Sequence, residues 1–264
     1  MSVRVQQHVA RVVGREQVSP HLVRLRLGGP GLAGFASTGV PDEWVGVVVP
    51  GQFQSRYYTV RSFDGAELVL DVVVHDEGLV TGWVAGDCVG EELTVTDARG
   101  SFDPAPEAGW VMLVGDLTAM PAMARIAETS ALPVAIWAEV PDDLSGYLPA
   151  GADVTWLDPP ADGFSRLGEV VERLAWPDGP GYFWMAGESA QMRAVRKHLM
   201  RVRRLATSDY DVMGYWRGGA VRQPRSVDPG PVWRAGKAAG KTDEEIWADY
   251  DAAQAAAQNE AHDD

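Results

Sequence analysis

The stretch Arg56-Tyr57-Tyr58-Thr59-Val60-Arg61 has the aromatic and β-branched composition of a strand. Side chains alternate across a strand, so Tyr58 shares a face with Arg56, and Thr59 shares the opposite face with Arg61. One short, stiff element therefore carries an aromatic ring, a hydroxyl and two guanidiniums. These groups suit a flat, anionic, redox-active ligand such as a flavin dinucleotide. The ring can stack on the isoalloxazine, the hydroxyl can bond a flavin nitrogen, and a guanidinium can hold the pyrophosphate with two hydrogen bonds. The same hexapeptide also fits an ordinary strand with a core tyrosine and surface arginines, so the rest of the chain must decide.

Around this segment the apolar residues alternate. Val23, Leu25 and Leu27 are separated by Arg24 and Arg26, and Leu68, Leu70, Val72 and Val74 form one face of residues 67–75. Leu93 and Val95 repeat the pattern. With residues 3–13, 44–49 and 57–63, about six strands result, punctuated by Gly28-Gly29-Pro30, Pro50-Gly51, Asp64-Gly65 and Gly86-Asp87. Strands so closely spaced predict a small antiparallel barrel over residues 1–105.

After Pro104-Ala105-Pro106 the period changes. Strands are predicted at 110–115, 133–138, 153–157, 182–186 and 209–215. A helix opens at Thr118 or Ala119 and runs to about Glu128, with Pro121 tolerated in its first turn. Ser165 is placed to cap a second helix with the apolar face Leu167, Val170, Val171 and Leu174. Met192, Val195, Leu199 and Val202 mark one face of a third. Strands alternating with helices predict a parallel α/β nucleotide-binding domain over 106–216. Residues 217–264 form a C-terminal extension, with a helix predicted over 243–257 and an acidic tail.

Composition narrows the function. The 264-residue chain carries a formal net charge of -14, which argues against nucleic acid or an anionic membrane surface as partner. Residues 243–264 hold eight Asp or Glu and no Lys or Arg, the pattern of a solvated tail. A single cysteine, Cys88, rules out an intrachain disulfide and a cysteine-ligated cluster, and the five histidines are too scattered to predict a metal site. No segment has the apolar length of a signal peptide or membrane span, so a cytoplasmic monomer is expected.

With these pieces in order, the chain resembles the siderophore-interacting proteins, FAD-dependent ferric-siderophore reductases of the ferredoxin-reductase superfamily. The resemblance is carried by Asp42-Glu43-Trp44-Val45, the 56–61 hexapeptide, Val74-His75, Gly78 through Trp83 and Gly100-Ser101-Phe102. It continues through Gly115-Asp116-Leu117-Thr118-Ala119-Met120-Pro121-Ala122, Ala186-Gly187-Glu188, Gly214-Tyr215-Trp216-Arg217 and Gly240-Lys241-Thr242-Asp243-Glu244-Glu245-Ile246-Trp247.

The resemblance implies FAD along the barrel, with Arg56, Tyr58 and Thr59, and Val60 beside them, as the flavin-binding strand. Tyr58 and Thr59 would act at the reacting ring. His75 matches the family's histidine after the next long strand. Gly78, Val80 and Thr81 occupy the family's Gly-Pro-Ala-Ser turn for the pyrophosphate, here without its proline. Asp116, Thr118 and Ala119 match the family's Gly-Asp-Glu-Thr-Ala loop, with Leu117 in place of the Glu. With Gly187, Glu188 and Trp216 they would line the crevice for NADH or NADPH. Glu139, ending the second strand of this half, would favour the ribose diol of NADH, so the choice of donor stays open.

The implied reaction is a relay: a nicotinamide dinucleotide supplies hydride, and FAD passes single electrons to Fe(III) in a siderophore. A ferredoxin-type protein is an alternative electron donor. Arg61, Arg217, Arg222 and Arg225 are the candidates for an anionic ferric siderophore. The family often has a lysine shortly after the Asp-Glu-x-Val block; here the corresponding residue is Gly46. Two other readings stay open: a flavin reductase of the same fold serving another acceptor, and a non-enzymatic flavin or siderophore binder.

Overall fold

The computed structural model describes residues 6–52, 54–75, 78–161 and 163–217, together with Ala239 and Lys241. The chain divides into two compact units, residues 1–218 and 219–264. Among the described residues, every strand and helix belongs to the first unit. The helix expected over 243–257 lies outside the described residues.

Six strands close into an antiparallel barrel: β1 (Gln7–Ser19), β2 (Leu22–Gly28), β3 (Trp44–Val48), β4 (Arg56–Phe63), β5 (Leu68–Val73) and β6 (Glu92–Thr96), in the order β1-β2-β5-β4-β3-β6. Closure leaves no sheet edge exposed. Every second residue points inward, so Ala10, Val12, Val23, Leu25, Leu27, Val45, Val47, Val60, Leu68, Leu70, Val72, Leu93 and Val95 form one core. Each such Val or Leu side chain contributes roughly 1.5–3 kcal/mol on burial. Leu32 and Phe35 of the β2–β3 connection, Cys88, and Val80 and Val84 of helix α1 (Leu79–Ala85) complete it. β1 runs on to Ser19, beyond the expected end near residue 13. The polar run Arg15-Glu16-Gln17 interrupts the apolar alternation, yet it pairs with β2 across two register shifts.

The second half is a parallel sheet in the order β11-β10-β7-β8-β9, formed by β7 (Val111–Asp116), β8 (Val134–Glu139), β9 (Asp153–Leu157), β10 (Tyr182–Glu188) and β11 (Tyr210–Trp216). β7 and β10 are buried throughout, which is why they read as continuous apolar runs. Helix α2 (Met120–Thr129) buries Met120, Ala122, Met123 and Ile126 on one face of the sheet. Helices α3 (Leu167–Arg173) and α4 (Ser189–His198) bury Leu167, Val171, Met192 and Val195 on the other. The expected apolar face of α4 ends early. A π turn over Leu199–Arg203 widens the helix, leaving Leu199 buried but Val202 67% exposed.

Barrel and sheet are joined by buried polar groups. Asp42, fully buried, accepts hydrogen bonds from Ser101 N (2.9 Å), Ser101 Oγ (2.9 Å), Phe102 N (3.0 Å) and the Trp184 indole (3.1 Å). Glu43, equally buried, accepts from Ser37 Oγ, Thr38 N and Thr38 Oγ1, and pairs with Arg125 of α2 at 3.1 Å. On another side Asp142 accepts from Ser19 Oγ and the His21 backbone N–H. Among the described residues no helix is long and apolar enough to cross a membrane.

Asp42→Ala strands four donors, three of them on the segment leading into the sheet. We expect a loss of about 3 kcal/mol or more, each stranded buried group costing roughly 1–3 kcal/mol. Chemical denaturation measures it, and a wild-type midpoint would show that the donors find other partners.

Candidate functional site

On β4 the aromatic and basic groups are displayed by pairing with β3, in the register Val47↔Arg56, Gly46↔Tyr57, Val45↔Tyr58 and Trp44↔Thr59. Tyr58 is half-buried against the barrel core, and burial pushes its hydroxyl up to about 12 while nearby Arg56 acts in the other direction. Arg56 is exposed, and its guanidinium makes no hydrogen bond or ion pair with a described residue. Tyr57 is 70% exposed. Gly46 stands opposite Tyr57 and has little room for a side chain. A Cβ there would lie 3.1 Å from both Ser55 Cβ and Thr96 Cγ2, and its N–H donates to Thr96 Oγ1 at 2.8 Å.

The next three residues of β4 are held from the α/β half. Thr59 is 5% exposed and lies beside the buried hydroxyl of Tyr215 on β11, which burial makes a weaker acid than usual. Val60 donates its N–H to the Glu43 carbonyl at 2.8 Å, and its own carbonyl accepts from Arg125 at 2.7 Å. Arg61 makes a two-pronged pair with Glu128 of α2 (2.8 and 2.5 Å) and lies over the Tyr147 ring at 5.4 Å. Arg61 is a substrate candidate by sequence; the structure places its guanidinium in the joint between the halves.

His75, Gly78 and Thr81 do come together. A Cβ on Gly78 would sit 3.5 Å from His75 Cε1 and 3.8 Å from Thr81 Oγ1, and Gly78 has φ +127°, a conformation glycine adopts readily. The segment expected as a turn is the first turn of α1. Val80 points into the barrel core, so a ligand would meet its backbone and not its side chain. An open hollow of about 530 Å³ lies beside this turn, lined by Pro50, Gly78, Leu79, Gly82 and Trp83. The arrangement fits a dinucleotide: an exposed guanidinium unpaired among the described residues, a half-buried aromatic ring and a side-chain-free approach at Gly78.

At the carboxyl ends of β7, β10 and β11 the other expected residues meet. Asp116 Oδ1 accepts from Thr118 N (2.9 Å) and Thr118 Oγ1 (2.5 Å), and Oδ2 accepts from the Trp216 indole (2.6 Å). Burial raises the Asp116 pKa, and these bonds oppose the shift. Gly187 has φ +150°, and a Cβ there would lie 2.5 Å from Asp116 Oδ2. Ala119 and Glu188 are buried, so Asp116, Thr118 and Trp216 form the brace that shapes this edge. Glu139 lies in register with Asp116 and is buried too; burial pushes its pKa up. Tyr215 links this edge to β4, since its hydroxyl lies beside Thr59 and its neighbour is Trp216.

Arg217 is exposed immediately after β11, whereas Arg222 and Arg225 lie outside the described residues. Sequence reasoning gives no role to Arg125, Glu128 or Tyr215. Arg125 leaves a signal: it is a charged residue amid the buried run Pro121, Ala122, Met123, Ala124 and Ile126, a position a cation occupies only with a partner.

This geometry, a closed six-stranded antiparallel barrel followed by a parallel α/β sheet, is the ferredoxin-reductase-like fold. The family model of siderophore-interacting proteins matches residues 108–219. A solved siderophore utilization protein from T. fusca superposes with a TM-score of 0.69 at 29% identity, covering 83% of this chain and 95% of that one. Among curated relatives, the ferric vibriobactin reductase ViuB of Vibrio cholerae is 29% identical over 254 residues, 82% of this chain and 91% of its own length. An NADPH-dependent ferric-chelate reductase of Escherichia coli is 28% identical over 238 residues, 76% of this chain and 89% of its own. The chain is thus similar to the siderophore-interacting proteins, by the family model over residues 108–219 and by these relatives over most of its length.

Two measurements probe the α/β edge. Gly187→Ala should cost about 1–3 kcal/mol through strain and the clash with Asp116, and should shift Trp216 emission; unchanged stability and emission would mean that the edge relaxes freely. Glu139→Gln should raise stability at pH 8. The raised folded-state pKa of Glu139 makes its ionised form a cost above that pKa, a cost that fades as pH falls toward the ordinary glutamate value of 4.5. The advantage of the variant in thermal midpoint should therefore shrink over that range, and a constant difference would show that Glu139 does not titrate differently in the fold.

Proposed function

We propose that this protein is an NAD(P)H-dependent, FAD-containing ferric-siderophore reductase of the cytoplasm that releases iron as Fe(II). Residues 1–105 would serve as the FAD half, 106–216 as the nicotinamide half and 217–264 as an extension. The observation that carries the reading is the adjacency of two sites. The aromatic-basic rim of β4, with Arg56 unpaired among the described residues, meets the braced edge of a parallel sheet through Tyr215 and Trp216. The names of the E. coli and V. cholerae relatives point to the same activity.

Each residue then has a physical role. Arg56 neutralises pyrophosphate charge, with Gly78 and Thr81 offering a close approach and a hydroxyl beside His75. Tyr58 supplies a ring against which the isoalloxazine stacks. Thr59, buried at the seam, supplies a hydroxyl toward the reacting edge of the ring. The sheet edge shaped by Asp116, Thr118, Gly187 and Trp216 receives the dinucleotide, at the end of the strands where such ligands bind in open α/β sheets. When bound, flavin exchanges two electrons with a nicotinamide and one at a time with iron. Fe(II) binds hard anionic oxygen chelators far more weakly than Fe(III), so reduction loosens the chelate.

A second reading, a flavin reductase serving another acceptor, is favoured by one observation. Gly46, where the family often has a lysine, is hemmed in by Ser55 and Thr96, and Arg61 is tied to Glu128. Substrate recruitment therefore falls to Arg217 and the arginines beyond it.

The purified protein should be yellow and release FAD, identified by mass; FMN or no flavin would overturn the reading. Arg56→Ala should weaken FAD binding by about 1.5–3 kcal/mol with little change in apo stability, whereas a collapse of the apo protein would make Arg56 structural. Reduction of an anionic ferric siderophore should slow as salt rises and in Arg217→Glu. Normal flavin reduction by NAD(P)H without reduction of any ferric chelate would select the other acceptor.

A further inference from the structure

The β4 ladder is interrupted just after Thr59. Pairing with β3 ends at Trp44↔Thr59, with the Val60 N–H still reaching the Glu43 carbonyl, and pairing with β5 slips at Arg61, between Val60↔Leu70 and Ser62↔Val69. Bulges of this kind release a backbone group from the ladder and recur beside active sites. Val60 is fully buried, so its carbonyl needs a partner that is not water. That partner is Arg125, whose Nη1 donates to the Val60 carbonyl at 2.7 Å and to Glu43 Oε1 at 3.1 Å. The Arg125 side chain is 14% exposed and that of Glu43 is not exposed at all. Glu43 is in turn fixed by Ser37 and Thr38. Arg125 projects from α2, the helix that follows directly on the Leu117–Ala119 turn at the dinucleotide edge.

We propose that Arg125 is a positioning residue for the flavin site. It replaces the missing ladder bond at Val60 and so fixes the Tyr58–Thr59 pair relative to the loop that begins α2. The inference rests on the flavin reading above and adds a residue on the opposite half that orders the flavin strand. Loss of the guanidinium leaves a buried carbonyl unpaired and the Glu43 carboxylate without its cation. The strand then loosens next to the two side chains that meet the ring.

The test compares Arg125→Met with Arg24→Met. Arg24 also makes a two-pronged pair with a buried carboxylate, Asp71, but on β2 and β5, so its loss controls for general destabilisation. FAD titration of the apo proteins should show affinity reduced about tenfold or more in Arg125→Met and little changed in Arg24→Met, both well below their thermal midpoints. Hydrogen exchange of the apo proteins should quicken in residues 56–63 only for Arg125→Met. Arg125→Lys, which keeps the charge, should fall between wild type and Arg125→Met, and serves in place of the latter if that variant does not fold. FAD affinity unchanged in the Arg125 variants, or reduced equally by Arg24→Met, overturns the positioning role. Failure of the wild type to bind FAD overturns the flavin reading itself.

Discussion

Burying a carboxylate between two packed layers is tolerable only when every oxygen is met by a donor, and this protein does so twice in succession. Asp42 gathers the turn at Ser101-Phe102 and the indole of Trp184, while Glu43 gathers the 37–38 loop and Arg125. These two residues stand immediately before β3, the strand that aligns β4. The position of β4 relative to the parallel sheet therefore depends on charges that have no alternative partners in water. An apolar contact tolerates sliding; a carboxylate with directed donors does not. The cost of burying the charges is offset by a joint with one geometry.

The consequence for chemistry is that β4 belongs to both halves. Its first residues, Arg56 to Tyr58, face the barrel rim, and its next three, Thr59 to Arg61, are held by Tyr215, Arg125 and Glu128. The proposed relay between a nicotinamide and a flavin would need two ligands brought together to within van der Waals distance by different parts of a chain. Here one strand spans that boundary.

Much of this is legible in the sequence because the two halves have different periods. Alternation of Val23, Leu25 and Leu27 marks a strand with one wet face, and the unbroken run at 111–116 marks one buried on both. Position and spacing also locate His75 with Gly78 and Thr81, and Asp116 with Trp216. What the sequence hides is the joint. Asp42-Glu43 stands out as a block, but its partners lie as far off as Trp184, and no local pattern announces them. α1 reads as a turn because it starts at a glycine with no capping side chain. Val202 falls on the expected buried face because a period of 3.6 does not anticipate a π turn.

Cys88 closes the barrel core fully buried, and burial holds its thiol in the protonated state more firmly than usual. Thiolates, not thiols, are what peroxide attacks. Ferrous iron beside a reduced flavin, as the proposed reaction would bring together, generates peroxide wherever oxygen reaches it. The only sulfhydryl of this chain lies out of that traffic. The same seclusion leaves the surface free of competing thiols, and a cysteine introduced anywhere on it becomes a unique attachment point for a spectroscopic probe.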